Sequence, residues 1–530
     1  MKKLFIISAL ILLSASFAYA GCVDTFGIGS KATALGGAYA AYADDPYAAY
    51  YNPAGLTQLE SIIFSAGAHT ENVTIDVKNF RVSNTDDPEI RGPKDFSTDA
   101  DVLVAPHLGF AMPIGDKVAI GIAAYAPWGL DMKWGDDPTT NPGAYNYYHS
   151  YYMREVINPT VAYKVSDKFS FGVGVSLGIS KGGEERKLYV SPDVGRDPVL
   201  GPMLVNQATT VASDAIAGVE AANQAAGGVA PTVTTASAAY NFLTTYAPDM
   251  AAEAAVFKGY ADQGLETPEQ IGVAQAAQYN GVAAIDHGAH IEGVLEDKGN
   301  FSFNIGMMYK PKETLTLGLT FRSRTVTDFE GDVEKNGVKV ADATLEYDHP
   351  EQVQFGIRYV PESNKNISVE ADLVWTKWSI NDTQSTKILS PGLEINVIPG
   401  VSSVLTESTY RRDWEDTKQI RLGVEWKATD LMTLRAGYFY DPTPISDDTL
   451  DLMWTDADKK TYSVGCGFNF EKFSVDTVFQ FTDIEKGRYL GGESEGLNHS
   501  YDGAAGVHRE VSVSADGYIW GLGLTFNYKL

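Results

Sequence analysis

Cysteine is nearly missing from this chain: Cys22 and Cys466 are the two in 530 residues. Two thiols cannot form a disulfide scaffold, so packing and hydrogen bonding must hold the fold. Positive charge is also short, with 41 Lys and Arg against 68 Asp and Glu and a formal net charge of -27. That sign excludes nucleic acid as a partner, because its phosphates would be repelled. Histidine is sparse, eight in all, and none stands in a nucleophile constellation, so neither catalysis nor a cofactor is expected. His287 and His290 lack a third ligand at matching spacing and read as solvated loop residues, not as a metal site. Gly27-Ile28-Gly29-Ser30-Lys31-Ala32 spells a dinucleotide fingerprint, but it follows no strand and opens no βαβ unit. Past the first residues, no segment has the roughly 18 consecutive apolar residues that a membrane helix needs.

The start of the chain carries an address. Met1-Lys2-Lys3 is basic, Leu4 to Leu13 is apolar, and Ala18-Tyr19-Ala20 is a small-x-small cleavage site. Residues 1–20 therefore read as a secretory signal peptide. Lipidation of Cys22 is the alternative; Tyr19 stands where such signals usually have Leu.

Glycine and tyrosine, by contrast, are abundant, at 51 and 29 residues. From Phe26 to Leu56 the chain is small-residue-rich and broken at Asn52-Pro53-Ala54, with neither a strand alternation nor a helical stripe. Tyr39, Tyr42, Tyr47, Tyr50 and Tyr51 set it apart from a flexible tail, and residues 21–60 read as a compact plug. Beyond it the sequence alternates with period two. Phe169, Phe171, Val173, Val175, Leu177 and Ile179 line one face of a strand, with Ser170, Gly172, Gly174, Ser176 and Gly178 on the other. The same rhythm closes the chain from Tyr518 to Leu530.

A soluble sandwich would alternate too. Three features point instead to a membrane barrel: long strands, aromatics gathered at strand ends (Trp375, Trp378, Trp414, Trp426, Trp520), and connections that alternate between short and long. The expected fold class is all-β, a transmembrane antiparallel barrel of about 14 strands. The approximate spans are 61–75, 99–112, 117–126, 150–164, 169–187, 291–309, 314–327, 341–360, 367–380, 411–427, 431–440, 460–470, 473–485 and 512–530. An even count puts both ends of the barrel segment, 61–530, on the short-turn side, which in such barrels is periplasmic. Between 188 and 290 the alternation stops and alanine dominates. Ser213 to Gly227 and Asp249 to Gly264 read as helices, and Thr267-Pro268-Glu269-Gln270 starts a third that Gly281 ends. This insertion is expected outside the cell, over the barrel mouth.

These residues resemble the FadL/TodX family of outer-membrane transporters for hydrophobic compounds. The likeness is carried by Ala48-Ala49-Tyr50-Tyr51-Asn52-Pro53-Ala54-Gly55-Leu56, by Ala126-Pro127-Trp128-Gly129-Leu130, by Ser368 to Ser379, and by Leu434-Arg435-Ala436-Gly437-Tyr438 with Asp441-Pro442 after it. The resemblance implies a hatch gated at Asn52, Pro53 and Ala54. It implies a carboxylate headgroup held by Arg186 and Lys181, with Arg154 and Arg322 as further candidates, and a lateral opening near Gly121 and Pro127. The partners it implies are hydrophobic small molecules, with outer-membrane lipid and lipopolysaccharide around a monomeric barrel. Passive uptake of long-chain fatty acids is the leading expectation. Aromatic hydrocarbons, or a non-transporting adhesin, are the alternatives. If the barrel reading is right, unheated protein will migrate differently from boiled protein in a detergent gel and will fractionate with outer membrane. Recovery as a soluble protein would refute it.

Overall fold

The computed structural model describes residues 27–502 and 508–530; the leader and Cys22 lie outside them. Fourteen antiparallel strands form the wall. They are β1 (Ile63–Val82), β2 (Leu103–Ile114), β3 (Val118–Lys133), β4 (His149–Ser166), β5 (Phe169–Lys187), β6 (His290–Lys312) and β7 (Leu315–Arg322). The rest are β8 (Gln352–Tyr359), β9 (Ile367–Thr376), β10 (Thr417–Lys427), β11 (Met432–Asp441), β12 (Lys459–Asn469), β13 (Phe473–Gly491) and β14 (Val511–Lys529). β1 pairs with β14 from Ile63↔Lys529 to Val82↔Val511, which closes the barrel. Ile63 and Lys529 lie at the same rim as the short turns at Gly115–Lys117 and Asp167–Lys168.

The period of two sorts each strand into a lipid face and a lumen face. On β9, Leu373 is 48 % exposed while its neighbour Asp372 is 4 % exposed and faces inward. Trp375 and Trp426 follow the outward face as expected. Trp378 and Trp414 do not: both are buried. The chain leaves β9 through a 3-10 turn, Trp378–Ile380, which breaks the alternation and turns the first indole into the lumen. They are packing residues, not part of an interfacial girdle.

Above the shorter β7–β9 the wall continues as extra strands. Asp328–Lys335 pairs with upper β6 and with Val338–Glu346, which in turn joins Thr383–Ile388. The expected single strand 341–360 is therefore two, separated at Tyr347–Glu351, where Pro350 cannot donate to a ladder. The Ala-rich insertion folds as helices Leu200–Ala225, Ala236–Tyr246, Ala251–Asp262 and Pro268–Ala276 around Ile216, Val219, Phe242, Phe257 and Ile271. Thr267 and Gln270 form the capping box that the sequence signals. The first helix starts well ahead of Ser213, and the second is additional to the three that the sequence signals, although Thr235 caps it. A hairpin, Leu393–Ile398 with Val401–Leu405, holds the insertion at the long-loop end, where Asp286 accepts from Lys335 Nζ (2.9 Å) and Asn396 N (2.6 Å).

Residues 27–60 fill the lumen near the short-turn end through α1 (Ser30–Ala34), α2 (Ala48–Tyr51) and the 3-10 segment Pro53–Gln58. They fit because the wall beside them lacks side chains. A Cβ on Gly318 would run into the Ala40 carbonyl, and one on Gly437 into the backbone of Gly36. Gly318→Val should therefore expel the plug at a cost of about 1–3 kcal/mol. The expected sign is faster proteolysis of residues 27–60 in a barrel that still shows its heat-dependent gel shift.

Candidate functional site

The plug is bound to the wall at almost every turn. Asp372 accepts the amides of Tyr39 (3.0 Å) and Ala40 (2.9 Å). The carbonyls at the end of α2, which no helix can satisfy, find wall donors. Ala49 O receives Asn158 Nδ2 (3.0 Å) and Asn304 Nδ2 (2.6 Å), Tyr50 O receives Arg322 Nε (3.2 Å), and Tyr51 O receives Thr320 Oγ1 (2.8 Å). Asn52 works in both directions. Its amide donates to Ala40 O (2.6 Å) and Met307 O (3.0 Å), while its Oδ1 accepts from Ala54 N (3.1 Å). Pro53 and Ala54 come directly after it, and a Cβ on Gly172 would meet the Pro53 carbonyl carbon at 2.6 Å.

Two cavities lie above the plug. The upper one has a free volume of about 70 Å³, is lined mainly by apolar side chains, and carries one cation, Arg186, and one acid, Glu184, among the described residues. Arg186 Nη1 donates to Tyr410 Oη (3.1 Å), while its buried Nε has no acceptor. The lower cavity has a free volume of about 30 Å³ and brings together Arg154, Arg322, Pro127, Trp128, His349 and Tyr50 of the plug. Arg154 is 3 % exposed and donates to neutral groups, Asn300 Oδ1 (2.8 Å) and Ser302 Oγ (3.4 Å). A buried guanidinium satisfied by neutral acceptors retains its attraction for an anion.

Lys181 does not join Arg186. It points to the outer face, 3.5 Å from Glu296. The two are five positions apart, an odd number, so a strand must place them on opposite faces. Parity could have shown this from the sequence, and equally that Arg154 and Asn158 share the inner face. Gly121 also lies away from the wall irregularity. It is paired on both sides, with Ala111 and Thr160, and faces Leu56 of the plug. The irregularity is higher. The β2–β3 ladder stops at Leu108↔Ala124, and the β3–β4 register shifts between Tyr125 and Trp128, around Pro127. His287 and His290 have separate partners: Nδ1 of the first bonds Val190 O (2.6 Å), and the second faces Glu185 (3.2 Å).

Closed wall, inward plug and enclosed apolar cavity together define an outer-membrane channel-type β-barrel with an obstructed lumen. The family described as "Outer membrane protein transport protein (OMPP1/FadL/TodX)" matches residues 10–530, and the chain belongs to it. The long-chain fatty acid transport protein of Escherichia coli O6:H1 is 23 % identical over 519 residues, covering 94 % of this chain and 92 % of that one. Among solved structures, a Pseudomonas aeruginosa FadL homologue superposes with TM-score 0.64 at 16 % identity, covering 97 % of this chain and 99 % of its own. The Pseudomonas putida toluene transporter TodX gives 0.57 at 13 % identity, with 95 % and 99 % covered. The family is one of outer-membrane transporters for hydrophobic compounds.

Asn52→Ala should leave the Ala40 and Met307 carbonyls without their side-chain donor, at about 1–3 kcal/mol for each buried group. Hydrogen exchange at the Ala54 amide should then accelerate by at least about tenfold, while wall amides keep their protection.

Proposed function

We propose that this protein carries hydrophobic carboxylic acids, long-chain fatty acids foremost, passively across the outer membrane. The observation that carries this reading is the apolar upper cavity with Arg186 Nε left unaccepted inside it. Each CH₂ moved from water into such a cavity gains roughly 0.8 kcal/mol, so chain length drives entry. The guanidinium then fixes the acid end by charge-assisted hydrogen bonds. Aromatic hydrocarbons would use the same apolar lining but leave Arg186 idle.

The lower cavity is the second station on the path. It offers Arg154 and Arg322 to the headgroup and lies beside Pro127, where the wall ladder is broken. Lateral release through that break suits an apolar cargo, because the cargo never leaves an oily surrounding. Arg322 also grips the Tyr50 and Tyr51 carbonyls, at 3.2 and 3.4 Å, so a carboxylate competing for it would loosen the plug. In this reading the short-turn rim faces the periplasm and the helical insertion the outside, and the protein works as a monomer without a cofactor. No step in this path makes or breaks a covalent bond.

Arg186→Leu should weaken binding of a long-chain fatty acid by about tenfold to a hundredfold, the worth of a charged hydrogen bond, and leave a hydrocarbon of equal length untouched. Asn52→Ala/Pro53→Ala should change fatty-acid uptake in whole cells and admit small polar solutes while the barrel stays heat-modifiable. Wild-type uptake and permeability in both variants would remove the transport reading.

A further inference from the structure

Between the two cavities stands a ring of aromatic side chains. Trp128 stacks on His349 at 5.4 Å and 11°, His349 meets Tyr152 at 5.2 Å, and Tyr152 meets Tyr347 at 5.3 Å. Tyr347 stacks on Trp454 at 5.2 Å, and Trp454 meets Trp414 at 5.4 Å. Trp414 meets Trp378 at 5.5 Å, and Trp378 returns to Trp128 at 5.6 Å. Seven rings thus close a circle of contacts, crossed by Tyr347 against His349 (5.9 Å) and Trp414 (6.1 Å) and by Tyr152 against Trp454 (6.2 Å), and none is more than 6 % exposed. Trp128 comes from β3, and Trp378 follows β9, six strands around a fourteen-stranded wall. Their contact therefore reaches across the lumen. Tyr152, Tyr347 and Trp454 line the upper cavity, while Trp128 and His349 line the lower one.

Ordinary core packing does not explain the polar atoms of this circle. Tyr347 Oη, Trp414 Nε1 and His349 Nδ1 are buried without a hydrogen-bond partner, although buried polar groups are nearly always satisfied. Tyr152 Oη and His349 Nε2 are bonded to each other and link the rings of the upper cavity to those of the lower. Trp128 sits just past the register shift of β3, on a stretch whose other edge has no ladder to β2. Trp128 is thus laddered on one side only, by its pairing with Arg154. Tyr347 belongs to the lining of the upper cavity and His349 to that of the lower.

We propose that the seven-ring circle is an internal gate that selects cargo by cross-section, with Trp128 as its moving part and the Tyr152–His349 bond as its latch. It rests on the reading that the two cavities are successive stations on one path. A single alkyl chain threads it; a fused-ring acid is retained above it. The gate is distinct from the plug, which controls the lumen below.

The test compares initial uptake of hexadecanoic acid and of pyrenebutyric acid into vesicles bearing wild type, Trp128→Ala or Tyr152→Phe, each checked for its heat-dependent gel shift. Trp128→Ala should raise the ratio of pyrenebutyric acid uptake to hexadecanoic acid uptake by at least about tenfold, within the range that shape discrimination in apolar sites gives. Tyr152→Phe removes the latch without removing volume and should act in the same direction, so a misfolded Trp128→Ala does not end the test. A folded variant that carries hexadecanoic acid normally and pyrenebutyric acid no faster overturns the gate and leaves the transport reading standing. Should wild type carry neither acid, cysteine protection decides. In a Cys22→Ser/Cys466→Ser background, pyrenebutyric acid should shield Ser408→Cys in the upper cavity from a thiol reagent, but not Ser176→Cys in the lower. Adding Trp128→Ala should extend shielding to both. Shielding of both sites with the circle intact would also refute the gate.

Discussion

The structure depends on how closely a plug can approach a barrel wall. Fourteen strands enclose more space than their own inward side chains fill, and an empty lumen in a membrane would leak. Residues 27–60 fill it near the short-turn end because glycine stands on the wall where their backbone runs. Gly318 makes room for the Ala40 carbonyl, Gly306 for the Asn52 side chain and Gly437 for the Gly36 amide. Contact at that distance brings backbone polar groups against the wall, and every one buried without a partner would cost free energy. The wall answers with Asp372, Asn158, Asn304, Thr320 and Arg322. Fit and polar satisfaction are two sides of one constraint, and the plug stays in place because both hold together.

Above the plug the rule changes. The inner face turns apolar and aromatic, from Val73, Ile75 and Val77 on β1 to Trp378, Trp414 and Trp454 on the far side. Charge does not vanish from this layer: Arg412 is paired with Asp451 (2.6 Å) beside the aromatic side chains. Arg186 in the upper cavity and Arg154 in the lower have neutral partners, whereas Arg435 near the plug is held between Glu425 (2.7 Å) and Asp476 (2.6 Å). Paired guanidiniums hold structure, and isolated ones can take an anionic ligand. Arg154 lies with Pro127, at the broken ladder, in the lining of the lower cavity.

The sequence by itself determined the wall. A period of two is a local property, written in each strand without reference to its neighbours, and lipid outside demands that one face be apolar throughout. The strand count and closure were legible for that reason, and the helix capped at Thr267 was legible from its own capping box. Where the local period fails, so did the reading. The 3-10 turn after β9 took Trp378 inside, and Pro350 split the strand expected over 341–360. Lys181 was misplaced although its parity was available.

Only the tertiary structure decided what meets across the lumen. Trp128, Tyr152, Tyr347, His349, Trp378, Trp414 and Trp454 are scattered over more than half of the chain, and no spacing in the sequence relates them. The glycines facing the plug look, strand by strand, like the small residues of any inner barrel face. Their meaning arises when a closed barrel brings strands six places apart to opposite walls and draws the N-terminal segment between them. Contacts of that kind depend on closure, a property of the whole ladder, which no single stretch of chain records.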